Sequence, residues 1–408
     1  MAMYFDPGEV KQALDWLSSI SDGAGPGVTR LLYSQSWLKA QSELEFRFQA
    51  MGMSCRFDAV GNLFATLVGS EFPEKKIATG SHIDTVVNGG GLDGQLGIIG
   101  AYIAIKSLLE HYGCPKKSLE IISMAEEEGS RFPYAFWGSK NIFGLAKRED
   151  VENLSDAQGI RFVDAMRNCG FEFGENQAPT DIEAFIELHI EQGNFLEEEN
   201  YAVGVVNSIV GQKRYNITLK GEANHAGTTL MRYRKDTVEC MARIITKAID
   251  KAKAAGDPLV LTFGKVVPKP NTVNVVPGET LFTVDCRHTD ETFLQDFTAC
   301  LEVDMQEIAR QCRVEIEIDN WMNEKPVLMN PQIVRRIEDV CRNNGISYKL
   351  MHSGAGHDSQ IFGAHVPTGM IFVPSIKGIS HNPEEATRIE DICEGIKTLA
   401  HTLHELAY

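Results

Sequence analysis

Ile77 to Val86 reads I-A-T-G-S-H-I-D-T-V, an apolar strand-like run that passes through a glycine into His82 and Asp84. Two further runs behave alike: Leu119 to Met124 enters A-E-E-E-G-S-R-F, and Ala184 to Leu188 enters H-I-E-Q-G. Open α/β sheets carry their sites at the carboxyl ends of strands. Three apolar runs that each end in polar, ligand-type residues therefore predict an α/β fold with one shared site. Helical segments alternate with these runs, beginning with an opening helix that has Val10, Leu14, Leu17 and Ile20 on one face. Helices are also expected at Leu96 to Glu110 and around Asn141 to Leu145.

The residue types suit metal-assisted hydrolysis. His82 offers a neutral imidazole, Asp93 in a glycine-rich turn offers a carboxylate able to bridge two cations, and Glu128 can hold metal while Glu127 moves protons. His189 and His381 complete a set of five candidate ligands: His82, Asp93, Glu128, His189 and His381. Asp84, two residues beyond His82 on an extended stretch, shares its face and can orient the imidazole. Each has a plainer reading: a strand-end histidine, a turn aspartate, a solvated acidic patch, an exposed turn histidine. The combination is what carries the reading, because Glu126 to Glu128 directly follow a buried-type run and carboxylates at a core edge need cations.

From about Gly211 the pattern changes. Tyr215, Ile217 and Leu219 alternate, then a helix to Ala255, strands at Leu259 to Phe263 and Leu281 to Cys286, a helix from Glu291 to Cys312, and alternating Val314, Ile316 and Ile318 follow. That order is β-α-β-β-α-β, a ferredoxin-like α+β unit. An inserted domain at 211–325 is expected, with 1–210 and 326–408 forming the α/β catalytic domain. A helix at Asn330 to Asn344, a buried strand at Val366 to Pro374 and a terminal helix at Arg388 to Ala407 finish the latter.

A second polar group accompanies the insert. His225, in N-H-A-G-T-T, suits a donor to an oxyanion. Asn274 is expected on a hairpin strand. Arg287, in D-C-R-H, could grip a carboxylate with two parallel hydrogen bonds, or equally form an ion pair with Asp285. Gln192 and Gln212 are candidate amide donors. The turn at Gly356 and His357 opens a helix whose N–H groups could bind an anion.

A formal charge of -17 without a basic block argues against nucleic-acid or anionic-membrane partners. Nine scattered cysteines with no C-x-x-C pair fit reduced thiols, and the first residues lack the apolar core of a secretory leader. A cytoplasmic location with no membrane partner is the expectation.

The strings A-E-E-E-G-S-R-F, E-L-H-I-E-Q-G, N-H-A-G-T-T, N-T-V-N-V-V-P-G, D-C-R-H and S-G-A-G-H-D together resemble the M20 family of metallopeptidases and amidohydrolases over essentially the whole chain. They are most similar to its ureido-hydrolysing branch, and F-P-Y-A-F-W-G-S-K-N-I-F-G to the bacterial members that act on allantoate. The resemblance implies two divalent ions, Mn²⁺ or Zn²⁺, held by the five ligands with Asp93 bridging and Glu127 as general base. It also implies a small ureido substrate bearing a carboxylate, contacted by Gln192, His225, Asn274, Arg287, Gly356 and His357. A homodimer through the inserted lid domain follows from the same resemblance, with His225 donated by the other subunit. N-carbamoyl-L-amino acid hydrolysis, or the cleavage of amides by an aminopeptidase or N-acyl amino acid deacylase, is the alternative within the family. Leu230 departs from the proline that many relatives carry after H-A-G-T-T.

Overall fold

The strand Phe72–His82 begins exposed and becomes buried from Ile77 onward, where the charged run Glu74 to Lys76 gives way to apolar and small residues. The structure, a computed structural model, describes residues 3–174 and 178–408. Phe72–His82 lies between two parallel partners, Lys117–Met124 and Ile182–Ile190, and the latter pairs in parallel with Thr368–Val373. These four strands are the middle of the sheet. Leu63–Leu67 and then Ser54–Phe57 extend it antiparallel on one side, and Val203–Ile209 on the other. Strands buried on both faces read as near-continuous apolar runs, as I-F-V at Ile371 to Val373 does.

Helices cover the sheet. Gln95–Tyr112 packs on Phe72–His82 and Ile182–Ile190, and Ile389–Ala407 packs beside it, burying Ile392, Ile396, Leu399 and Leu403. One glycine in the decisive run is required by its backbone. Gly80 has φ 145°, and a Cβ there would lie 1.9 Å from the carbonyl oxygen of Ile122 on the adjacent strand. Only glycine avoids that overlap.

The chain divides into two compact units, one of residues 1–207 with 328–408 and one of residues 208–327. In the second, the antiparallel sheet runs Glu315–Glu324, Gly211–Lys220, Glu279–His288, with Val260–Thr262 and Val266–Lys269 both pairing with the last. Helices Thr237–Ala255 and Glu291–Cys312 complete the β-α-β-β-α-β order. Tyr215, Ile217, Leu219, Ile244, Phe282, Val284, Leu301 and Met305 form its core, so the alternation of the strands meets the helical stripes in one apolar layer.

Three local expectations shift. The helix expected around Asn141 to Leu145 runs instead from Trp137 to Ile142, because the Glu126 side chain accepts the N–H of Trp137 at its start and Leu145 returns its N–H to Lys140 at its end. Ile20 falls beyond the end of Pro7–Ser18, though still buried. Asn274 sits just before the two-residue strand Val275–Val276 rather than on it.

Candidate metal centre

Four neighbouring parallel strands deliver their chemistry to one edge of the sheet. His82 ends Phe72–His82, Glu126 to Glu128 follow Lys117–Met124, His189 is next to last in Ile182–Ile190, and His381 lies in the loop after Thr368–Val373. Asp93 stands in the turn that leads from the first of these strands into Gln95–Tyr112. Loop residues placed by strand ends are where open sheets carry function.

Asp93 is the centre of the arrangement. Its Oδ1 lies 3.4 Å from His82 Nε2 and 3.2 Å from His189 Nε2. Its Oδ2 lies 3.2 Å from His381 Nε2, which is also 3.2 Å from Glu128 Oε1. One carboxylate thus serves two ligand groups, His82–Asp93–His189 and Asp93–Glu128–His381, while Glu127 stands with His82 and Glu128 in a third cluster. His82, Asp93 and His189 are buried, whereas His381 is half exposed.

The far sides of the rings fix their tautomers. His82 Nδ1 faces the carbonyl and carboxylate oxygens of Asp84 at 3.1 and 3.2 Å, and His189 Nδ1 faces the carbonyl of Ile190 at 2.9 Å. Both Nδ1 atoms therefore carry hydrogen, so each Nε2 directs either a lone pair, in a neutral ring, or a proton toward Asp93. Lone pairs facing a carboxylate repel unless a positive charge stands among them.

The acids press the same demand. Burial, then the charge of Glu128, pushes Glu127 well above the usual carboxylate range. Burial, then Asp84, does the same for Glu126, whose carboxylate also accepts the N–H groups of Gly129 and Trp137. Burial disfavours a charged His82, but Asp84 and Asp93 outweigh it and raise that imidazole well above 6.5. A buried set of carboxylates and imidazoles with this donor chemistry fits divalent cations such as Zn²⁺ or Mn²⁺.

Two residues missed in the sequence touch Asp93 or its turn. Ser380 Oγ lies 3.0 Å from Asp93 Oδ2, and Glu385 Oε1 accepts the N–H of Asp93 at 3.1 Å. Only the H-N-P-E-E string, acidic beside a candidate ligand, hints at Glu385.

The other expected residues divide by unit. Gln192, at φ 60°, donates its side-chain N–H to Asp93 Oδ2 at 2.8 Å and keeps a buried Oε1 with no partner. His357 is buried, with its ring 4.5 Å from that of His189 and Nε2 3.0 Å from Ser353 Oγ. Burial, then His189, holds it well below 6.5, so it is neutral. The helix after Gly356 spans only Asp358–Gly363, and the N–H and hydroxyl of Ser359 already go to the carboxylate of Glu187. The anion at that helix end is thus supplied by the protein itself.

In the second unit, Gln212 and Arg287 are directly opposite across the strand pair. Arg287 holds Asp285 through Nε at 2.9 Å and Nη2 at 3.0 Å, so the ion pair read as its alternative is formed. His225 is exposed and pairs with Val275, beside Asn274, whose carbonyl accepts from Ala226. The N–H of Gly227 donates to His225 Nδ1 at 3.0 Å, which leaves the ring proton on Nε2, pointing its donor away from its own backbone. Leu230 has φ −62°, the value proline would impose.

The model of Peptidase family M20/M25/M40 matches residues 78–405. This chain belongs to that family. Over 403 residues it is 56% identical to the allantoate amidohydrolase of Escherichia coli K12, covering 98% of each chain. It is 43% identical to the allantoate amidohydrolase of Bacillus subtilis, covering 97% of this chain and 96% of the relative. Among solved structures, an amidase of the hydantoinase/carbamoylase family from Burkholderia multivorans superposes with a TM-score of 0.95 at 30% identity, covering 100% of this chain and 99% of that one. The α/β fold is therefore the M20 fold. No helix among the described residues is long and apolar enough to cross a membrane.

Proposed function

We propose that this M20 member is a metal-dependent amidohydrolase that cleaves a ureido C–N bond of allantoate, giving ureidoglycine, ammonia and carbon dioxide. One observation carries the reading: the two oxygens of Asp93 face separate ligand groups, as a carboxylate shared by two cations must. The identity to two allantoate amidohydrolases over nearly full length supports the substrate.

His82, His189 and Asp93 would hold one ion, and Asp93, Glu128 and His381 the other. Bound there, Mn²⁺ or Zn²⁺ would supply Lewis acidity for the water and the ureido carbonyl. Glu127 takes the proton of the attacking water and returns it to the departing nitrogen. Asp84 keeps His82 in the tautomer that leaves Nε2 bare. The Nε2–H of His225, contributed by the partner in a homodimer joined through the inserted unit, donates to the carbonyl oxygen as negative charge develops there. Arg287 and Asn274 hold the substrate carboxylate, with Gln192, Gln212, Gly356 and His357 completing the contacts. Water adds to the ureido carbon, the C–N bond breaks, and the carbamate released decomposes to ammonia and carbon dioxide. The acidic charge and unpaired cysteines suit a cytoplasmic enzyme.

Purified protein supplied with Mn²⁺ or Zn²⁺ should release ammonia from allantoate faster than from N-carbamoyl-L-amino acids or ureidoglycolate, and leave dipeptides intact. Preference for an N-carbamoyl amino acid would move the assignment to that activity. Dipeptide cleavage without ammonia would overturn it.

A further inference from the structure

Glu385 is a buried carboxylate that the chemistry above does not use. Its Oε1 accepts two backbone N–H groups from the glycine-rich turn, Leu92 at 2.9 Å and Asp93 at 3.1 Å. Its Oε2 accepts the hydroxyl of Ser380 at 3.0 Å, and the same hydroxyl lies 3.0 Å from Asp93 Oδ2. Ser380 directly precedes His381. One side chain therefore ties the turn that carries Asp93 to the loop that carries His381, two segments nearly 300 residues apart in sequence.

The fit is close on the turn side. A Cβ at Gly90 would lie 2.0 Å from Glu385 Oε1 and 2.2 Å from its Cδ, so the turn has no side chain where this carboxylate packs. A buried carboxylate is retained only where its acceptor oxygens are satisfied, and here the satisfying donors belong to the two ligand-bearing loops. Burial, then the charge of Asp93, acts against keeping Glu385 ionised, yet the three donors hold it in place.

We propose that Glu385 is a positioning residue that pre-assembles the Asp93–Glu128–His381 cation site. This rests on the two-cation reading above. His82 and His189 sit on strand ends and keep their places through the sheet, so the His82–Asp93–His189 site depends less on Glu385. His381 has no such support: it sits half exposed in a loop at φ 54°. Loss of Glu385 therefore separates the two sites.

The test uses the full-length protein, stripped with chelator and titrated with Mn²⁺ by calorimetry, with elemental analysis at saturation. The unaltered protein should bind two ions. Glu385→Ala should weaken the second ion roughly 10–100-fold, the usual consequence of losing a group that orients ligands, and the first, which shares Asp93, by a smaller factor. Glu385→Gln keeps an acceptor oxygen for the two N–H groups and should fall between. His381→Ala marks which ion is lost. Two ions bound with unaltered affinities by Glu385→Ala, or both weakened equally, overturn the assignment. Should Glu385→Ala fail to fold, Ser380→Ala decides it: a selective loss of the second ion supports the tie, and unaltered affinities overturn it. If the unaltered protein binds only one ion, the two-cation reading fails and takes this assignment with it, an outcome distinct from the others.

Discussion

Asp84 Oδ1 accepts the backbone N–H of Glu127 at 3.0 Å. Its Oδ2 accepts that of Glu128 at 3.3 Å, and Oδ1 also faces His82 Nδ1. A single buried carboxylate thus sets the imidazole on one strand end and the acid pair on the next. This explains why H-x-D and E-E-E, distant in sequence, act as one unit once the two strands pair in parallel.

Replacing Asp84 with Asn tests that tie. An amide has one acceptor oxygen, so its NH₂ must confront the N–H of Glu128 or, turned over, that of Glu127 together with the His82 ring. The buried donor left unpaired costs about 1–3 kcal/mol, and metal affinity should fall roughly 10–100-fold. Urea unfolding of the metal-free protein and a chelator competition read the two effects. An Asp84→Asn variant equal to the parent in both would remove Asp84 from the site.

Glu127→Gln keeps the volume and removes the carboxylate proposed as the base. Turnover should drop by about 10²–10⁴, with the metal content unchanged by elemental analysis. Burial and Glu128 raise the Glu127 carboxyl well above the usual range. A base works only when ionised, so activity should decline as pH falls through that raised value, at a higher pH than an ordinary glutamate would give. Bound cations oppose the rise, so the acid limb should move downward as metal concentration increases. A limb that ignores metal concentration would argue for another titrating group.

Much of this site was legible because it is local or periodic. His82 and Asp84 sit two apart on a strand, and Arg287 meets Asp285 by the same spacing. The β-α-β-β-α-β order of the insert follows from alternation and helical stripes, and the strands that end at His82 and His189 could be read from apolar runs. What could not be read is pairing between distant segments. Nothing near Thr368–Val373 announces that it lies beside Ile182–Ile190, and nothing near Glu385 announces its bond to Leu92. The same holds for the helix after Gly356, where the N–H of Ser359 is taken by Glu187, a residue of another strand.

Lys76 gives a pH test of the sheet itself. Its Nζ lies 2.9 Å from both Glu120 Oε1 and Asp181 Oδ2, and Glu120 is buried. Lys76→Met leaves that carboxylate with Thr66 as its remaining hydrogen-bond donor, and loss of one partner of a buried pair costs about 3–5 kcal/mol. Burial lowers the lysine pKa, but Glu120 and Asp181 outweigh it and raise the group above 10.5. A raised lysine contributes its full stability below the unfolded pKa of about 10.4 and loses it as pH climbs through the folded value. The gap between parent and Lys76→Met in urea unfolding should therefore be widest near neutral pH and close at strongly alkaline pH. A gap independent of pH would mean that Lys76 acts through packing instead.

Gly80→Ala asks whether the strand must pass through that glycine. The new methyl would meet the Ile122 carbonyl oxygen at 1.9 Å and its carbon at 2.8 Å, both backbone atoms of the neighbouring strand, at a φ of 145°. Neither strand can yield without breaking the ladder that pairs Gly80 with Ile122 and His82 with Met124. Overpacking of this kind costs about 3 kcal/mol or more. His82, two residues further on, would move with it, so cation affinity should fall together with the unfolding midpoint. Gly52→Ala is the control: it too sits at positive φ, 84°, but with nothing within 4 Å of the added methyl. Only local strain of about 1–2 kcal/mol applies there, and cation binding should stay unchanged. If both variants lose the same stability and neither loses metal, the close approach of strands at Gly80 does not position His82.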